Sequence, residues 1–125
     1  MQIPKALIDR YLKAITAGRA VNMPDPLSDL SHFDADIRTM RSRALRAGHL
    51  DWLRLSIDAL LARPEGRISA FAGLRYPFND EDLVAVLSRA YDMIWPDQPR
   101  SEPGDELDLE FADIDAEAWL QHYAR

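Results

Sequence analysis

The sequence predicts an all-α fold, a single-domain bundle of about five helices with an acidic C-terminal arm. Two observations predict the bundle: apolar residues recur at the spacing of amphipathic helices, and proline or glycine follows the ends of these stretches. A third observation predicts the arm, because acidic and apolar residues alternate in the last quarter of the chain. A chain of 125 residues can bury a core without support from metals or disulfides.

The first helix is predicted over 4–17, with Pro4 in its first turn and Gly18 beyond its end. Its apolar residues lie on one stripe: Leu7, Ile8, Tyr11, Leu12 and Ile15. An irregular connection over 22–29 follows, because two prolines interrupt any regular pattern there.

The second helix is predicted from Leu30 or Ser31 to Ala47, and the third over 49–62. Gly48 separates them, and so short a break makes the two helices antiparallel neighbours. The second helix carries four arginines, which we expect to pair with acids of the arm or of a partner: Arg38, Arg41, Arg43 and Arg46.

A short helix is predicted over 67–75 and a longer one up to Ile94, ended by Pro96. Asn79 is the predicted N-cap of the longer helix, since acids fill the turn that follows it. We expect three parts: a helical core domain over 1–96, a linker over 97–104, and over 105–125 an acidic C-terminal arm and short helix packed on the core.

The charge distribution is uneven. Residues 1–54 hold nine basic and six acidic side chains, whereas 96–125 hold two basic and nine acidic ones, and the net charge is −6. An acidic end is repelled by nucleic-acid phosphates, so we expect no nucleic-acid partner. No apolar run is long enough to span a membrane, and the first residues lack the uninterrupted apolar stretch of a secretory signal. We therefore expect no membrane association and a cytoplasmic protein.

The arm is predicted to begin with a short β segment near 106–111, because acids and apolar residues alternate there. Asp113 or Asp115 can cap a final helix over 116–124. One interpretation is that the arm completes the fold with its acids facing water. The functional interpretation is that the arm binds a basic protein through six carboxylates and two aromatic anchors. These predicted partner-binding residues are Glu106, Asp108, Glu110, Asp113, Asp115, Glu117, Trp119 and Tyr123.

Patterns that carry catalysis are absent from the sequence. There is no cysteine, no glycine-rich phosphate loop and no nucleophile elbow. His32 and His49 each precede an aspartate by two positions, but residues two apart on a helix do not share a face. We therefore predict no catalytic residue, no metal site and no cofactor.

One spacing leaves an enzymatic alternative open. Arg43 and His49 are separated by five residues. This element resembles the Arg-x(4–6)-His element of HEPN-type ribonucleases, an all-helical family of similar size. The resemblance implies metal-independent RNA cleavage by these two residues. The sequence departs from the family in that Gly48 interrupts the helix and Ala44 replaces a frequently polar residue.

The sequence thus favours a non-enzymatic protein-binding module, most simply an inhibitor of the bacterial immunity or antitoxin type. Such a protein would cover a basic surface of its partner, for example a cognate toxin. The likeness to that class is one of size, acidity and missing catalytic motifs. Besides the ribonuclease-like enzyme, the other alternative is a structural homo-oligomer, in particular a homodimer formed by exchanging the arm.

Overall fold

The first described residues pair with a strand from the last quarter of the chain in a small parallel β-sheet. The computed structural model describes residues 2–63, 80–102 and 109–123. Strand β1 (Gln2–Pro4) pairs with strand β2 (Glu110–Ala112), so that Ile3 lies opposite Phe111. Pro4 lacks the amide hydrogen that would continue the ladder, and the chain turns there into the first helix.

Five α-helices lie within the described ranges: α1 (Lys5–Thr16), α2 (Asp34–Ala47), α3 (Leu50–Ala62), α4 (Asp80–Ile94) and α5 (Ala116–Tyr123). Three short 3₁₀ helices connect α1 to α2: Ala20–Asn22, Pro26–Ser28 and Leu30–Phe33. The predicted class, a mostly helical single domain, is confirmed, with a two-stranded parallel sheet added.

The helix boundaries differ little from the predicted ones. The main difference lies before α2, where Leu30–Phe33 forms a 3₁₀ turn and the α-helix starts at Asp34. The Asp29 carboxylate accepts the Ser31 amide at 2.9 Å, which stabilises that tighter turn. Gly48 ends α2 in the left-handed region, at φ 74°, where glycine has no steric penalty. The predicted helix over 67–75 and the Asn79 cap lie outside the described residues.

The core lies between the first four helices, with α1 packed on α2 and α3 packed on α4. Its fully buried members include Leu7, Ile8, Leu12 and Ile15 of α1, Ile37 and Met40 of α2, Leu53, Ile57 and Leu60 of α3, and Val86, Leu87 and Tyr91 of α4. The guanidinium of Arg89 binds both oxygens of Asp34, at 2.7 and 3.0 Å, and joins α4 to the start of α2.

The described part of the predicted linker is tied to this core. The Ser101 amide and hydroxyl donate to the two oxygens of the buried Asp58, at 2.8 and 2.7 Å. The Tyr91 hydroxyl donates to the Pro99 carbonyl at 3.2 Å. The division of the chain at 97–104 stays a prediction.

Candidate functional site

The described carboxylates of the arm are all exposed, and we call this set the acidic edge: Glu110, Asp113, Asp115 and Glu117. They extend from the start of β2 to the first turn of α5. The alternation predicted for this segment is seen in β2, where Glu110 is exposed and Phe111 packs against the core. Glu106 and Asp108, also predicted to bind a partner, lie outside the described residues.

Two of these carboxylates have local partners. Asp115 is the capping residue that the sequence offered as one of two choices, since its Oδ1 accepts the Glu117 amide at 2.9 Å. Glu110 receives only a long hydrogen bond, 3.5 Å, from the side-chain amide of Gln2. Asp113 makes neither a hydrogen bond nor an ion pair with a described residue. Its charge therefore faces solvent.

Glu117 is the one carboxylate of the acidic edge with a cationic neighbour among the described residues. Its Oε1 lies 3.6 Å from Nη2 of Arg10 on α1, and both side chains are more than half exposed. Exposed pairs of this kind contribute at most about 1 kcal/mol, because solvent screens them. The Arg10–Glu117 pair therefore orients the arm without neutralising the acidic edge.

Of the two predicted aromatic anchors, Trp119 turns inward. It is only 8% exposed, and its indole N–H donates to the Gln2 carbonyl oxygen at 2.9 Å. This burial gives Trp119 an intramolecular role, while its contact with a partner stays a prediction. Tyr123 ends α5, and its side chain lies outside the described part of the chain.

Trp119 belongs to an aromatic cluster in which α1, α3 and α5 meet, formed by Tyr11, His49, Trp52 and Trp119. The Trp52 ring meets Trp119 edge to face at 5.8 Å, and Tyr11 at 5.7 Å. The His49 ring lies 4.6 Å from Trp52 between ring centroids. Edge-to-face pairs contribute about 0.5–1.5 kcal/mol beyond their buried area. The cluster thus attaches the arm to the core.

The polar centre of the aromatic cluster is a short hydrogen bond, 2.6 Å, between the Tyr11 hydroxyl and His49 Nδ1. Burial raises the pKa of Tyr11 above its ordinary 10.0, although the cations of Arg10 and Arg43 oppose this shift. Burial and the charge of Arg10 lower the pKa of His49 below its ordinary 6.5. Both shifts favour the neutral form of the group.

The enzymatic alternative at Arg43 and His49 stays a prediction, and the structure places Tyr11 in contact with His49. Arg43 and His49 are separated by the left-handed Gly48, and Arg43 is exposed on α2. Sequence spacing missed Tyr11, because it lies 38 positions from His49. The sequence does indicate that Tyr11 has a hydrogen-bond partner, because a tyrosine on the apolar stripe of a helix needs a partner for its hydroxyl when it is buried.

The pairing expected for the arginines of α2, with acids of the arm or of a partner, stays a prediction. All four are exposed, and none forms an ion pair with a described residue: Arg38, Arg41, Arg43 and Arg46. In the described part of the arm, Glu117 forms an ion pair with Arg10 of α1. The four arginine side chains are solvated in the described structure.

Among the described residues, no group of three or more histidine, aspartate or glutamate side chains could hold a metal ion. None of the described helices has the length and apolar character needed to cross a membrane. Comparisons with protein-family models, curated protein sequences and solved structures give no match for this chain.

The lowered pKa of His49 predicts a pH dependence of stability. Since the folded chain favours the neutral ring, the unfolded chain binds more protons below about pH 7.5. The contribution of His49 is therefore complete above its ordinary pKa of 6.5 and is lost as the pH falls through 6.5 towards the lower folded pKa. Urea unfolding of His49→Gln should show a weaker loss of stability between about pH 7.5 and 5.5. The exposed variant Arg46→Gln should keep the wild-type slope, and an unchanged slope in His49→Gln would contradict the assignment.

Proposed function

We propose that this chain is a non-enzymatic protein-binding module that uses its docked acidic arm to cover a basic surface of a partner protein. The observation that carries the proposal is the orientation of the arm. Leu109, Phe111 and Trp119 pack against the core, while Glu110, Asp113 and Glu117 remain exposed. This arrangement supports a binding role, because an array held on a scaffold loses less conformational entropy on association than a flexible tail.

Charge supports the same proposal. The chain has a net charge of −6 and a pI of about 4.9. Carboxylates on an exposed edge attract a basic protein over distance and raise its association rate. The exposed Ile114, in the middle of the acidic edge, offers an apolar contact once water is displaced. An inhibitor of the immunity or antitoxin type, which must find a basic toxin quickly, is the most economical role for such a surface.

Neutralising the acidic edge should weaken partner binding. The test variant is Glu110→Gln/Asp113→Asn/Glu117→Gln, which leaves the capping Asp115 unchanged. The matched control, Asp25→Asn/Asp51→Asn/Asp97→Asn, changes the net charge equally at exposed sites outside the arm. Each chain is used to capture proteins from its native host, and binding of the partner retained by the wild type is measured at several salt concentrations. We expect a loss of about tenfold or more, mainly in association rate, for the test variant only.

Two results would contradict this function. In one, the wild type retains no basic protein. In the other, both triple variants bind the partner equally, which would assign the effect to net charge instead of the acidic edge.

A second candidate function, metal-independent RNA cleavage, is favoured by one observation, the 2.6 Å contact between Tyr11 and His49. A hydrogen-bonded imidazole near the cations of Arg10 and Arg43 is the kind of group that moves protons at a phosphodiester. His49→Gln should then reduce cleavage of a fluorescent single-stranded RNA about a hundredfold or more. His32→Gln should retain full cleavage, since His32 contacts the Pro26 carbonyl in a different part of the fold. Absence of cleavage by the wild type would eliminate this candidate.

A further inference from the structure

A groove lies on the molecule between the end of α1, the following turn and α2. It has a volume of about 540 Å³. Sites for small molecules usually have volumes in the range of about 300–1,000 Å³. Its polar lining comes from six residues: Lys13, Arg19, Asn22, Asp36, Thr39 and Arg43. No part of the acidic edge contributes to it, so this groove is separate from the surface proposed to bind a partner protein.

The floor of the groove is fixed by a buried carboxylate. Asp36 is 4% exposed, and its two oxygens accept the backbone amides of Arg19 and Ala20 at 3.0 and 3.1 Å. Gly18 permits this approach, because a Cβ there would lie 2.6 Å from the Asp36 carboxyl carbon and 2.3 Å from the Ala14 carbonyl oxygen. The turn that carries Arg19 is therefore held against α2 before any ligand arrives.

Three cations from three parts of the chain line this fixed groove: Lys13 on α1, Arg19 in the turn and Arg43 on α2. All three are exposed, and none forms an ion pair between described residues. The Asp36 carboxylate opposes them, but both of its oxygens are occupied by amides. The lining is thus locally positive on a protein whose net charge is −6.

We propose that this groove binds the phosphate group of a small soluble phosphomonoester. Three cations against one carboxylate leave two positive charges, and a phosphomonoester carries close to two negative charges at neutral pH. Arginine presents paired N–H donors that match phosphate oxygens, and lysine adds a compact charge. The amide of Asn22 supplies an uncharged donor at the same groove.

The test is a titration of the folded chain with inorganic phosphate at constant ionic strength, with chloride as the reference anion. We expect saturable shifts in backbone NMR signals that are largest for Arg19, Ala20 and Thr39. Arg43→Gln and Arg19→Gln should each weaken binding about tenfold, the loss typical of one charge-assisted contact. Ribose 5-phosphate should bind at least as tightly as inorganic phosphate.

Arg41→Gln is the matched control, since Arg41 is exposed on the same helix but does not line the groove. It should change the affinity less than about twofold. Urea unfolding of each variant checks that the fold is retained. Three results would overturn the proposal: phosphate shifts that do not saturate, an equal loss in all three variants, or binding to phosphatidic acid vesicles without binding to inorganic phosphate.

Discussion

The burial of Trp119 against Trp52 is the interaction on which the rest of the arm depends. Removing a buried tryptophan costs about 3–5 kcal/mol, whereas an exposed ion pair such as Arg10–Glu117 contributes about 1 kcal/mol at most. Apolar contact therefore fixes the position of the arm, and charge only adjusts it. The indole N–H, bound to the Gln2 carbonyl, also links α5 to the strand that pairs with β2.

This attachment separates two kinds of surface on one small domain. The arm places its carboxylates along the acidic edge, and the arginines of α2 remain exposed on another helix. The proposed partner surface and the proposed phosphate groove are therefore formed by different residues, and the two proposals can be tested independently.

The helices could be predicted from sequence because their apolar stripes are long and their ends are marked by Gly48, Pro96 and Asp115. Strand β1 could not be predicted in this way, since a strand of three residues is too short to show the alternation of apolar and polar side chains. The burial of Trp119 could not be predicted from the sequence either, because an aromatic residue on an amphipathic helix can pack on its own domain or on a partner. The burial of Asp36 has a sequence signal, because a carboxylate three residues after Phe33 and four before Met40 lies on the apolar stripe of α2.

Native-state hydrogen exchange tests the central claim, the docking of the arm by Trp119, most directly. In the wild type, the amides of β2 should exchange about a hundredfold or more slowly than in an unstructured peptide. In Trp119→Ala the protection of amides from exchange should fall in β1 and β2 together. The control Leu45→Ala, at an exposed position, should preserve this protection. Unprotected β2 amides in the wild type, or protection that survives loss of the indole, would contradict the account.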